Sequence, residues 1–201
     1  MVHLGISSIF NRTPSTNLQA TEPENEGKMA PGGVNVAGVH NSLVVPDSNL
    51  NHCFDIVSNV ARYPEFLNLY KQVTLLSDEG INQYGEHVLT ARYDIRIPML
   101  LQAFLKELHY SLRLYITRTP EESIMRWEQI DGPAIVTSNT GKWVSRQIGN
   151  DVQLTLHMDV GYKLYVPGPI KKKIQDTMVK DSLDSIYKRA KSLQINTATY
   201  V

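Results

Sequence analysis

Apolar and polar residues alternate along much of the chain, which predicts β-strands with one buried face. The alternation is clearest at 108–116 and 152–164, where every second residue is apolar. A β-branched, apolar run from Val34 to Val45, ended by Pro46, predicts a first strand. Six further strands are predicted at 70–78, 84–96, 106–118, 122–131, 134–148 and 151–165.

Helical periodicity follows the first strand. Apolar residues between Leu50 and Val57 recur at i, i+4 and i+7, which predicts an amphipathic helix. Asp47 or Ser48 is the predicted N-cap, because both side chains can accept hydrogen bonds from the first turn. A second short helical turn is predicted over 62–67.

A long amphipathic helix is predicted at the end of the chain. Pro167-Gly168-Pro169 ends the last strand, and apolar residues then recur at steps of three to five from Ile170 to Leu193. The predicted fold class is therefore α+β, with a curved antiparallel sheet of about seven strands wrapped around a long C-terminal α-helix and two short helices after strand 1. One helix rarely fills the concave face of such a sheet, so an enclosed apolar pocket is expected.

The chain divides into a tail and one folded domain. Residues 1–33 are predicted to be a disordered tail, because Pro and Gly punctuate a polar stretch without apolar periodicity. The folded domain is predicted at 34–195, followed by a short C-terminal tail at 196–201. A cytoplasmic location is expected. The mitochondrion or plastid is the alternative if the Ser- and Thr-containing start with Arg12 is a transit peptide.

Charge and composition exclude some classes of protein. Lys plus Arg and Asp plus Glu both number 20, so the formal net charge is zero, and no direct nucleic-acid partner is expected. No run of about 18 apolar residues is present, so no transmembrane helix is predicted. The single cysteine, Cys53, lies on the apolar side of the first helix and is predicted to be a small buried hydrophobic residue.

Motifs for catalysis and for cofactor binding are missing from the sequence. None of the six histidines has the i, i+4 spacing of a zinc-peptidase helix, and His87, His109 and His157 on alternating strands are expected to face solvent. There is no phosphate loop, no dinucleotide glycine fingerprint and no Gly-x-Ser-x-Gly elbow. We therefore expect no cofactor, no metal and no catalytic residues, which favours a non-enzymatic role.

The lining of the expected pocket is the candidate site. Tyr110, Trp143 and Tyr162 each bring a polar tip to the predicted inner surface, where a ligand or trapped water could bind it. The alternative is that the inward side chains only fill the core. The predicted ligand-binding residues are Tyr110, Leu112, Trp127, Trp143, Leu156, Met158, Tyr162, Ile174 and Met178.

Two segments are candidates for contact with a membrane or a protein partner. The run from Met99 to Leu105 is too apolar for an ordinary exposed connection, although a short buried helix would also explain it. Three lysines at the start of the last helix oppose the helix dipole, which suggests that they meet an anion such as a lipid headgroup. The predicted contact residues are Met99, Leu100, Leu101, Phe104, Lys171, Lys172 and Lys173.

Several short motifs occur in a characteristic order. Ala-Arg-Tyr-Pro-Glu-Phe-Leu stands at 61–67, Asp-Gly-Pro at 131–133 and Gly-Lys-Trp at 141–143, before a Pro-opened terminal helix that carries Met178 and Arg189. Over about residues 34–193 the chain resembles the START-like (SRPBCC, helix-grip) superfamily, and within it the polyketide cyclase and coenzyme Q-binding group. The resemblance implies a helix-grip fold with a hydrophobic cavity between sheet and helix.

The resemblance leaves three functions open, because fold alone does not choose among them. The first is a carrier or chaperone that binds a lipid, quinone or isoprenoid-like molecule in the cavity, with peripheral membrane contact as an option. The second is a polyketide aromatase or cyclase, for which Tyr110, Tyr162 and His109 would be tested. The third is a protein-interaction module, like a family branch that impairs ribosome association, and would involve nucleic acid only through the ribosome.

Overall fold

Strands are the main element of the computed structural model, which describes residues 35–97, 107–134, 136–163 and 168–198. Side chains are described in these ranges except at 35–37, 39, 162, 168–178 and 195–198. The elements are, in chain order, β1 (Asn35–Val45), α1 (Leu50–Ser58), a 3₁₀ helix (Val60–Glu65), β2 (Tyr70–Ile81), β3 (His87–Ile95), β4 (Leu108–Arg118), β5 (Glu122–Asp131), β6 (Val136–Ile148), β7 (Asp151–Tyr162) and α2 (Gly168–Ala198).

The seven strands form one curved antiparallel sheet. Its strand order is β1-β7-β6-β5-β4-β3-β2, so consecutive strands pair except where β1 joins β7. The long helix α2 and the two short helices after β1 complete a helix-grip fold. This confirms the predicted fold class. The observed strands that correspond to the six predictions from 70 onward begin and end within three residues of them.

The register of the sheet separates an inner face from an outer face. One continuous inner row runs through Leu89, Leu114, Trp127, Gly141 and Met158. The row next to it on each strand points outward, as the alternation of side chains requires. The outward row from β3 to β1 consists of Val88, Tyr115, Arg126, Lys142, His157 and His40. The polar side of the sheet therefore faces away from the core.

The helix α2 supplies a stripe of buried side chains to the core. Val179, Leu183, Ile186 and Ala190 recur at steps of four, three and four, and all four belong to the same cluster as the inner face of the sheet. The helix ends at Ala198, so it includes the first three of the residues predicted as a C-terminal tail. Burial of this stripe fixes the helix against the sheet.

The start of α1 differs from the prediction. Asn49 is the N-cap, and its Oδ1 accepts hydrogen bonds from the amides of Asn51 and His52 at 2.9 and 3.4 Å. Asp47 and Ser48 do not cap the helix. Asp47 instead has a φ of 52°, and this left-handed residue turns the chain between β1 and α1. The prediction of the cap was wrong because the turn extends further than the sequence indicates.

The side chain of Gln147 on β6 fastens α1 to the neighbouring turn. Its Oε1 accepts a hydrogen bond from the amide of Leu50 at 2.9 Å, while its Nε2 donates to the carbonyl oxygens of Ser48, Gly149 and Asp151. One side-chain amide thus contacts four backbone groups around the start of α1 and the turn between β6 and β7. The segment predicted as a second helical turn follows α1 as the 3₁₀ helix.

Replacement of the N-cap should lower stability selectively. We expect Asn49→Ala to reduce the free energy of unfolding by about 1 kcal/mol, because two amides of the first turn lose their acceptor. Asn51→Ala, two residues on and exposed, should leave stability unchanged or slightly higher, because alanine favours helix. Urea unfolding of both variants measures the difference. Equal stabilities for the two variants would contradict the assignment of the cap.

Candidate ligand-binding site

Six of the nine predicted ligand-binding residues lie on the inner face of the sheet. Leu112, Trp127, Trp143 and Leu156 are buried there, and Trp143 is the direct cross-strand neighbour of Leu156. The other two, Tyr110 and Met158, are partly buried and pack against the core cluster. These six side chains therefore share one surface, as the alternation indicated.

The side chains of the remaining predicted ligand-binding and contact residues are not among those described. The backbone of Tyr162 ends β7, and Ile174, Met178 and the lysines at 171–173 lie in α2, but their side chains lie outside the described residues. The same holds for the whole segment from Met99 to Leu105. The predicted roles of these residues remain predictions.

Trp127 lies against a glycine at the centre of the inner face. A β-carbon at Gly141 would lie 2.4 Å from Cζ2 of Trp127 and 2.4 Å from the carbonyl oxygen of His157. No side chain other than hydrogen fits this space. The indole Nε1 of Trp127 donates to Oδ1 of Asn139 at 3.0 Å, so the polar tip of this tryptophan is satisfied inside the protein. Gly141 and Asn139 therefore fix the indole ring.

Four tyrosines form a connected cluster at the inner surface. Their ring centroids are 5.4 Å apart for Tyr63 and Tyr70, 5.6 Å for Tyr70 and Tyr93, and 5.5 Å for Tyr93 and Tyr110. The Tyr63 hydroxyl donates to the carbonyl oxygen of Val57 at 2.5 Å. Tyr70 and Tyr110 share a hydrogen bond. The cluster thus joins the 3₁₀ helix to strands β2, β3 and β4.

Burial keeps three phenols of this cluster neutral, those of Tyr63, Tyr70 and Tyr93. It raises the pKa of Tyr70 to about 12, an effect that the hydrogen bond from Tyr110 partly offsets. Burial also raises the pKa values of Tyr63 and Tyr93 well above their ordinary value, and neighbouring phenols raise them further. At physiological pH these side chains are hydrogen-bonding hydroxyl groups and not bases.

A second feature is a cleft of about 1270 Å³ between α1, the 3₁₀ helix and the turn that joins β2 to β3. This volume exceeds the range of about 300–1,000 Å³ that is usual for small-molecule sites. None of the six predicted ligand-binding residues with described side chains lines it. The residues that line it are His52, Asp55, Ile56, Ser58, Asn59, Arg62, Phe66, Gly80, Ile81, Gly85, His87, Leu89, Ile116, Arg118, Arg189 and Leu193.

The cleft combines an apolar floor with charged walls. Leu89 and Ile116 are buried residues of the inner sheet face. Arg118 donates from Nη2 to Oδ1 of Asp55 at 2.8 Å, and its guanidinium lies 4.6 Å from the ring centroid of Phe54. Arg62, Arg118 and Arg189 were not predicted as site residues, because they meet only through elements far apart in the chain. Tyr93 of the tyrosine cluster was also not predicted, although the alternation along β3 indicates that its side chain faces inward.

Metal ligation and membrane spanning find no support among the residues described. No group of three or more His, Cys, Asp or Glu side chains there is arranged to hold a metal ion. No helix within the described ranges combines the length and apolar character that a membrane crossing requires.

The sheet, its central helix and the apolar inner face define a START-like helix-grip domain. Residues 49–186 match the model of a family described as polyketide cyclase / dehydrase and lipid transport. The chain belongs to this family. A search of curated protein sequences gives no significant match.

Solved structures with the same fold come from bacteria and from human. The Zhui aromatase/cyclase from a Streptomyces species is 13% identical, with 78% of this chain and 94% of that chain covered and a TM-score of 0.60. A START superfamily protein from Mycobacterium smegmatis is 19% identical (78% and 98% covered, TM-score 0.57). Human StAR-related lipid transfer protein 5 is 8% identical (84% and 87% covered, TM-score 0.63). At these identities the similarity shows the fold alone.

Substitution of the central glycine should disturb the tryptophan that rests on it. We expect Gly141→Ala to lower the free energy of unfolding by about 1–3 kcal/mol, because the new methyl group would overlap a backbone oxygen that cannot move freely. The near-ultraviolet circular dichroism of the tryptophans should change as well. Thr140→Ala, at the exposed neighbouring position, is the control and should alter neither signal. An unchanged spectrum for Gly141→Ala would contradict the packing described.

The tyrosine cluster should make the protein sensitive to alkaline pH. Tyr70 ionises at an ordinary pKa of 10.0 when unfolded and at about 12 when folded. Its contribution to the free energy of unfolding is therefore complete below pH 10 and is lost as the pH rises towards 12. We expect Tyr70→Phe to lose less stability than the wild type over this interval. Tyr84→Phe, at a residue that is 76% exposed, should follow the wild type. Urea unfolding between pH 9 and pH 12 tests this, and parallel curves for all three proteins would refute it.

Proposed function

We propose that this protein binds an apolar small molecule between the inner face of the sheet and α2, and acts as its carrier or chaperone. The observation that carries the proposal is that three apolar or aromatic side chains of the inner face remain partly accessible. Leu108, Tyr110 and Met158 point inward and still keep accessible surface. In a close-packed interior such side chains would be covered, so they support the presence of unfilled space.

The character of the surface supports an apolar ligand. Trp127 and Trp143 are the only tryptophans of the chain, and both lie on the inner face. Aromatic and aliphatic side chains with a few polar tips are the usual lining of small-molecule sites. The family description includes lipid transport, and one similar structure is that of a lipid transfer protein. A lipid, quinone or isoprenoid-like molecule fits these features best.

A polyketide aromatase or cyclase is the second candidate, and the tyrosine cluster favours it. The hydroxyl groups of Tyr70 and Tyr110 can donate hydrogen bonds to the carbonyl groups of a poly-β-ketone and so assist proton transfer. His109, predicted for the same role, lies on β4 opposite Asp94 and next to Tyr110 in sequence, so the strand directs it to the other face. Turnover of a poly-β-ketone thioester analogue, lost in Tyr110→Phe, would establish this function over the carrier.

Binding of a neutral apolar probe tests the carrier proposal. We expect N-phenyl-1-naphthylamine to bind saturably and to accept excitation energy from Trp127 and Trp143, because all three would share the inner space. Met158→Phe adds volume to that space and should weaken binding by about tenfold, since overfilling a site costs on the order of 1–3 kcal/mol. Fluorescence titration measures both effects.

Two observations control this experiment. Thr140→Phe places the same aromatic group at an exposed position on the sheet and should bind the probe like the wild type. Urea unfolding checks that Met158→Phe remains folded. The carrier proposal fails if the wild type shows no saturable probe binding. It also fails if Met158→Phe is as destabilised as an overpacked core and binds the probe normally, because the inner face would then be filled by protein.

A further inference from the structure

We infer that the cleft beside α1 binds the charged end of a singly charged anionic amphiphile, of the chemical class of a long-chain fatty acid. This inference rests on the proposed function, because the apolar part of the same molecule would occupy the inner space. The cleft differs from the predicted lining, since none of the six predicted ligand-binding residues whose side chains are described borders it.

The floor of the cleft continues the inner face of the sheet. Ile116 is the cross-strand neighbour of Met125, which pairs in turn with Trp143, and Leu89 lies in the row that contains Trp127. An aliphatic chain that begins in the cleft over Leu89 and Ile116 is therefore led towards the two tryptophans. A purely polar ligand would leave this apolar floor without a partner.

The arginines that line the cleft outnumber the carboxylates that pair with them. Glu65 serves two guanidinium groups, since its carboxylate accepts hydrogen bonds from Arg62 at 2.8 Å and from Arg189 at 3.0 Å. Arg118 is paired with Asp55. Three arginines thus share two carboxylates, and Asp55 is the only acidic residue among the described residues that line the cleft. His87, which also lines the cleft, is paired separately with Asp78. Among the arginines, one guanidinium group is left without a carboxylate of its own, which matches a single ligand carboxylate.

Arg118 is placed to accept a new anionic partner. Its Nη2 also donates to Ser58 Oγ at 3.2 Å, and its guanidinium stacks on Phe54, so the side chain is held in position. Its present partner Asp55 is 65% exposed, and an ion pair of that kind contributes little free energy because water solvates the carboxylate well. A carboxylate that arrives with an apolar chain gains the same contact and buries its chain as well. Exchange of partners is therefore favourable.

Oleate and its neutral counterpart oleyl alcohol separate charge recognition from apolar binding. We expect the full chain to bind oleate about tenfold more tightly than oleyl alcohol at low ionic strength, as displacement of N-phenyl-1-naphthylamine measures. Arg118→Gln and Arg189→Gln should each weaken oleate binding about tenfold and leave oleyl alcohol unchanged. Arg146→Gln is the matched control, because Arg146 is also an exposed, carboxylate-paired arginine but does not line the cleft.

A charge change in the opposite direction guards against loss of folding. Asp55→Asn removes the carboxylate that competes for Arg118, so it should strengthen oleate binding severalfold without affecting oleyl alcohol. Equal affinities for the two ligands, with no effect of the arginine and aspartate variants, would overturn the inference and leave the carrier function intact. Failure of both ligands and of the neutral probe to bind would overturn the carrier function together with it.

Discussion

The curvature of the sheet is the constraint on which the rest of the structure depends. A seven-stranded sheet bent around one helix has an inner face that the helix alone cannot cover. The helix α2 buries one stripe of it, from Val179 to Ala190. Further cover comes from α1, which contacts β5, β6 and β7, and from the 3₁₀ helix, which contacts β2. Among the described residues, the cleft lies beside α1 and the 3₁₀ helix and reaches Leu89 and Ile116 of the inner face.

The same constraint decides how polar groups enter the interior. Phenols and indoles at the inner face have hydrogen-bond partners inside the protein: Trp127 donates to Asn139 of β6, and Tyr63 bonds to the carbonyl oxygen of Val57 in α1 and to the side chain of Trp143 in β6. A buried hydroxyl without a partner costs free energy, so these bonds fix the relative positions of the helices and the sheet. The interior is consequently mostly apolar, with a few hydroxyl groups held in position by hydrogen bonds. Such an interior suits an apolar molecule with one polar end.

Sequence patterns predicted the parts of this arrangement that depend on local periodicity. Alternation placed Leu112, Trp127, Trp143 and Leu156 on one face, because that alternation is a direct consequence of strand geometry. The N-cap at Asn49 was missed, since a left-handed residue at Asp47 lengthened the turn before α1. The arginines of the cleft come from the 3₁₀ helix, β4 and α2. No local pattern reveals that such distant residues meet, so this part of the site required the tertiary structure.

The zero net charge of the chain does not reveal the local excess of arginines over their paired carboxylates at the cleft. Elsewhere on the described surface, four arginines each pair with one carboxylate, as Arg126 does with Glu86 and Arg146 with Glu122. Such pairs leave no charge for a ligand to balance. In the cleft the ratio is three guanidinium groups to two carboxylates, and the excess lies beside apolar side chains of the inner sheet face. A net charge of zero therefore excludes attraction of a polyanion by the whole molecule but is compatible with selective binding of one anionic group at this place.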